Sequence, residues 1–239
     1  MQNALHLISE TKKYPMNQTE NEQSNVAWIN DRKLINEINL KMARLLLDAG
    51  CDMNHRDYHS HETPAFRAIV TNNYELVKLF VVEGLDLSVR NLFGNDVLSR
   101  SIQLGRFRIA RLLIAAHSPI RVYSCFFKIP SIDELNRSRE NHEMIDYGDD
   151  EFFNNSESDH LIINNENFLQ YSLSKYEEFL KYIQTYTQEP RSLKDLARLS
   201  VRNQMKKPIS KWISQLGILP KEIQDLIMLY DIDRMANNL

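Results

Sequence analysis

Along most of the chain apolar residues return every three or four positions, the spacing of a helix that buries one side. Tyr74–Phe80 and Phe107–Leu113 carry this pattern, and Leu45-Leu46-Leu47 closes a third such stretch. Glu166–Thr187 is a longer one, with Leu169, Leu173, Tyr176, Leu180 and Ile183 as its apolar seam and Pro190 after its end. Three short stretches follow. Leu193, Leu196, Ala197, Ser200 and Val201 share one face of the first, with Lys194, Asp195, Arg198 and Arg202 turned away from it. Ile209, Trp212, Ile213 and Leu216 form the second, ended by Gly217, and Ile223, Leu226, Ile227 and Tyr230 the third, opened by Leu219-Pro220. The pattern predicts an all-α protein.

Two markers repeat at a fixed interval. Leu45-Leu46-Leu47-Asp48-Ala49-Gly50 returns as Leu79-Phe80-Val81-Val82-Glu83-Gly84 and as Leu112-Leu113-Ile114-Ala115-Ala116-His117, at offsets of 34 and 33 residues. Glu62-Thr63-Pro64-Ala65-Phe66-Arg67-Ala68 returns 33 residues later as Asn95-Asp96-Val97-Leu98-Ser99-Arg100-Ser101. Thr63 suits a helix N-cap, Pro64 its first turn, and Gly84 the left-handed residue that ends a helix. The pattern resembles the ankyrin repeat, with Phe66 and Ser99 where that repeat carries histidine. Two clear repeats run from Tyr58 to Asn91 and from Leu92 to about Ser124. A third, from about Asn25 to Asp57, keeps a good second helix but no Thr-Pro signature, and Asn3–Tyr14 is expected to cap the array.

Five segments result: residues 1–24 as an N-terminal cap or flexible segment, 25–124 as repeats, 125–165 as an irregular acidic insertion, 166–189 as a connecting helix and 190–235 as a helical tail. Charge separates the last ones. Arg139–Glu189 holds 3 basic against 12 acidic residues, whereas Pro190–Leu239 holds 9 against 5, so insertion and tail attract one another.

The composition, 43% hydrophobic and 26% charged, is globular, and no apolar run could span a bilayer. Membrane association is not expected, and the chain reads as soluble, in the cytoplasm or nucleus. Cys51 and Cys125 are the only cysteines, which excludes a disulfide framework or a multi-cysteine zinc module. Cys51, His55, His59 and His61 lie on a hairpin between repeats at no recognised zinc spacing, so neither metal nor cofactor is expected. No phosphate loop, nucleophile elbow or metalloprotease helix is present, no catalytic residue is assigned, and the tail lacks the aromatic platform of a nucleic-acid binder. Arg67 and Arg100 share one position of successive inner helices, near Arg56 and Arg90 on the hairpins. These four arginines are the expected contacts to an acidic segment of a target protein.

Pro190-Arg191-Ser192-Leu193, the apolar stripe behind it and Leu219-Pro220-x-x-Ile223 resemble the SOCS box, and their pairing with ankyrin repeats resembles the ankyrin repeat and SOCS box family. The resemblance implies a short ankyrin solenoid followed by a three-helix module. It implies a non-catalytic substrate receptor of an elongin B/C–cullin–RING ubiquitin ligase. Leu193, Leu196, Ala197 and Val201 would then enter elongin C, which is bound to elongin B, and Leu219, Pro220 and Ile223 would face a cullin, usually cullin five. The family usually has cysteine where this chain has Ala197. Two cysteines cannot supply the ligands of a RING, so the catalytic module would come from the partners. The competing expectation is an ankyrin scaffold whose tail only caps the solenoid, with Leu193 and Leu196 buried inside the molecule.

Overall fold

The computed structural model describes residues 2–9, 22–120, 165–188, 191–205, 207–216 and 219–237, with side chains from residue 34 onward in the second helix and from 174 onward in the seventh. All regular structure among them is helical: α1 (Ala4–Ser9), α2 (Glu22–Asp48), α3 (Pro64–Val70), α4 (Tyr74–Val82), α5 (Val97–Gln103), α6 (Phe107–Ala115), α7 (Asn165–Gln188), α8 (Leu193–Gln204), α9 (Ile209–Leu216), α10 (Lys221–Ile227) and α11 (Ile232–Asn237). The acidic insertion and Cys125 lie outside the described residues.

Local chemistry sets the two-layer array. Asn73 caps α4 by accepting from the Leu76 N–H at 3.1 Å. Asp96 and Ser99 form a reciprocal capping box on α5, each side chain 2.9 Å from the other's backbone nitrogen. Thus Asp96-Val97-x-Ser99 reaches by another chemistry the helix start that Thr63-Pro64 provides in α3. Thr63 holds the N-cap place of α3, but its hydroxyl makes no capping bond, and Pro64 supplies the pre-set first turn. Gly50, Gly84 and His117 end α2, α4 and α6 with φ of 90°, 96° and 65°. His117 adopts a conformation that ordinarily favours glycine, and its Nδ1 lies 3.1 Å from the Tyr186 hydroxyl.

Inner helices α1, α3 and α5 line up beside one another, and outer helices α2, α4 and α6 do the same. Phe66, Ile69, Leu76, Phe80, Leu98, Ile109 and Leu112 fill the space between the rows. The repeat expected from about Asn25 to Asp57 takes its inner helix from upstream of those bounds. A single helix, α2, spans most of Asn25–Asp57, and the inner place beside α3 goes to the six residues of α1. Buried Leu5 and Ile8 secure α1, as does His6, whose Nε2 lies 2.9 Å from the Glu62 carbonyl oxygen. That carbonyl can only accept, so Nε2 carries the proton; burial keeps the imidazole pKa below its ordinary value.

The connecting helix also differs from expectation. Its buried side chains are Tyr176, Phe179 and Tyr182, with Ile183 and Tyr186 packed beside them, whereas Leu180 is exposed. Phe107 of α6 stacks on Phe179 at 5.1 Å between centroids, and Arg111 binds Glu178 at 2.7 Å while lying 5.1 Å over the Tyr182 ring. Aromatic faces and one guanidinium choose the buried side. Leu169 and Leu173 lie outside the described side chains.

Candidate docking faces

Among the described residues the tail holds four helices, one more than the sequence pattern predicts, because Met228-Leu229-Tyr230 turns the chain, with Leu229 at φ 54°, and α11 returns to pack on α6. Asp233 secures α11. It accepts from the Tyr74 hydroxyl at 2.7 Å and pairs with Lys78, while Arg108 covers the Tyr74 ring at 4.0 Å. Burial, then the bond to Asp233, pushes the Tyr74 hydroxyl pKa well up, so it remains a donor at neutral pH.

The turn Val81-Val82-Glu83-Gly84 at the end of α4 receives the rest of the tail. Arg202 of α8 donates to the carbonyls of Val81 at 2.6 Å and Val82 at 3.1 Å, and to that of Ile227 at the end of α10. One guanidinium therefore serves two helix C-termini, where carbonyls lack intrahelical partners and a positive charge is favoured. Burial and nearby Arg198 lower the Arg202 pKa to about 10 against the pull of Glu83, so it stays charged at neutral pH. Glu83 is itself buried. Its carbonyl accepts from the Ile209 N–H at 3.2 Å and its carboxylate from the Ser210 N–H at 3.0 Å, which places an anion at the start of α9.

Gly84 is required twice. Its φ of 96° disfavours any side chain, and an added Cβ would lie 2.9 Å from Ile209 Cδ1 and 3.2 Å from Lys207 Cε. At Gly50, with φ 90°, a Cβ would meet nothing within 4 Å. Gly50→Ala should cost about 1 kcal/mol of backbone strain, and Gly84→Ala about 2 kcal/mol because the tail contact must also yield. Equal losses in paired urea melts would show that Ile209 does not press on this turn.

With its polar side turned to the array, α8 presents its apolar side to solvent. The sequence pattern places Arg198 and Arg202 outward, yet they are 3% and 9% exposed, and Leu193 is 85% exposed. Leu196, Ala197, Ser200 and Val201 are exposed beside it. Arg198 reaches Asp231 at 3.3 Å and Asp195 at 3.7 Å, which satisfies the charge that packing against α10 and α11 encloses. Ser192 caps α8 as its spacing predicts: its Oγ accepts from the Asp195 N–H at 3.1 Å and donates to the Asp195 carboxylate at 2.5 Å.

The other predicted site residues fall in two places. Leu219 is half-buried against Val82, Ile209, Ile213, Ile227 and Met228, while Pro220 and Ile223 are exposed at the start of α10. On the array, Arg56 and Arg90 are exposed on successive hairpins and Arg100 is half-buried. Arg67, expected as a contact to a target, already has acidic partners within the array. Its side chain is 30% exposed and pairs with Asp57 at 3.2 Å and Glu62 at 3.5 Å. Burial opposes ionisation of Asp57, but bonds from Ser60, Arg67 and the Glu62 N–H outweigh it and hold this carboxyl well below the usual range. His55, His59 and His61 stand exposed on the hairpin, and among the described residues no three His, Cys, Asp or Glu side chains converge as a metal site.

The family model for ankyrin repeats matches residues 34–123 in three copies. This region is therefore an ankyrin array, a class of solenoid that binds other proteins and typically serves as a non-catalytic adaptor. No curated protein and no solved structure matches the chain. No helix among the described residues is long and apolar enough to cross a membrane.

Proposed function

We propose that the chain is the substrate-recognition subunit of an elongin B/C–cullin–RING ubiquitin ligase, whose ankyrin array holds the target and whose tail recruits elongin C. One observation carries the reading: α8 buries its arginines and leaves Leu193, Leu196, Ala197 and Val201 in water. A helix that served only as a cap would gain by burying those four side chains, at roughly 1.5 to 3 kcal/mol for each large one. Capping accounts for the docking of α9 and α11 on the array but leaves this stripe unexplained. The polar anchors hold the stripe in an already helical form, which lowers the ordering cost of entering a groove.

The other partner surfaces follow the same logic. Pro220 and Ile223 are free to face a cullin, for which cullin five is the family's usual choice, while Leu219 supports them from within the tail. Arg56 and Arg90, with a lesser share from Arg100, would meet an acidic segment of the target; Arg67 is already neutralised by Asp57 and Glu62. Ubiquitin transfer would be accelerated by holding the target near an enzyme that the partners bring, with no chemistry done by this chain. The deciding experiment is co-purification of elongins B and C with the wild-type chain and with Leu193→Asp. Capture by the wild type and loss in the variant supports the reading, and no capture by either protein removes it.

A further inference from the structure

A second exposed apolar stripe lies on α2, outside the tail. Along α2, Ile35, Ile38, Met42 and Leu45 follow one another at steps of three, four and three residues, the spacing by which one helix meets another. All four are exposed, Leu45 by 69%, and Leu34 is exposed beside them. Asn36 accepts from Asn73 and Arg44 pairs with Glu83, which defines the side of α2 that faces α4. At about 100° per residue the stripe lies roughly opposite that side, where nothing described continues the outer row. Solenoid ends are ordinarily closed by polar outer faces, and this end is apolar.

We propose that this face is covered by a second copy of the chain, the two α2 helices packing antiparallel about a two-fold axis. The stripe has the required self-complementarity. Residue numbers pair about position 40, so Ile35 meets Leu45 of the other copy and Ile38 meets its Met42, and each contact occurs twice. The charges agree with the same register. Glu37 and Lys41 flank the stripe on one side, are exposed, and have no ion-pair partner among the described side chains, which begin at residue 34 in α2. The two-fold axis brings Glu37 of each copy beside Lys41 of the other. The interface is independent of the ligase reading, since it uses no residue of the tail.

Sedimentation of the purified full chain from low to high micromolar concentration tests the proposal. The expected result is a concentration-dependent shift from 28.1 kDa to twice that mass. Ile38→Asp should remain monomeric with an unchanged helical melt, because Ile38 is exposed and makes no part of the array core. Glu37→Lys alone and Lys41→Glu alone should each weaken association by about five-fold, and the two together should restore it. Leu193→Asp should leave the dimer intact, which separates this interface from elongin capture. A monomer throughout would overturn the proposal. Within that outcome, slow amide exchange over α2 would mean that the chain covers its own stripe, and fast exchange that the stripe awaits a different protein. A dimer that survives Ile38→Asp, or a charge swap that fails to restore it, would overturn the pairing equally.

Discussion

Replacing Arg202 with Met is expected to speed amide exchange in α8 and α9 by roughly 100-fold while the amides of α3 to α6 keep their protection. Met retains much of the packing volume but none of the donors. Among the described residues, Val82 and Ile227 then each lose the one partner of a carbonyl at a helix end, and Val81 keeps its bond from the Gly84 N–H. A buried acceptor left unpaired costs about 1 to 3 kcal/mol, so two of them come to about 3 kcal/mol, which matches the stated change in exchange. Arg202→Lys should recover only part of the loss, because an ammonium cannot span two helix ends as a planar guanidinium does. If Arg202→Met left exchange in α8 within a few-fold of wild type, the apolar contacts of Ile209, Ile213 and Ile227 would be holding the tail unaided.

The second large effect concerns binding without folding. Leu193→Asp should weaken capture of elongin C by at least about 100-fold, combining the lost burial of a leucine with the cost of dehydrating a carboxylate. The same change should leave the melting curve of the free protein in place. Leu193 is the first residue of α8 and touches little, and an acidic side chain at that position is favourable to the helix dipole. Leu193→Ala should fall between, about ten-fold weaker. A variant that lost both elongin capture and thermal stability would point to a structural role for Leu193 and count against its placement in a partner.

The array was readable from the chain because its determinants are local and recur: Pro64 at a helix start, Gly84 at a helix end, and apolar pairs at fixed intervals. Even the departures were readable once side-chain chemistry is considered, since Asp96 and Ser99 cap one another as well as Thr-Pro opens a helix. The orientation of α8 was not. Amphipathic reasoning assumes that the apolar side goes inward, and it fails where an arginine finds two helix ends to serve. Nothing near Arg202 in sequence reveals that Val82 and Ile227 will be its neighbours, because those contacts depend on the packed tail. The same limit explains α7, whose buried side was decided by a phenylalanine of α6, and α1, too short to show a period. Exposure of the predicted stripe and burial of Leu219 likewise needed three-dimensional neighbours.

The Glu83-Gly84 turn makes the molecule a bracket with a fixed angle. Because the array and the tail meet there through a guanidinium, a carboxylate and a glycine that tolerates no bulk, a load carried by the array cannot swing freely about the tail. For a receptor of this kind the reachable lysines of a bound target would form a narrow zone set by the bracket, and lengthening the turn by even one residue should move that zone rather than widen it.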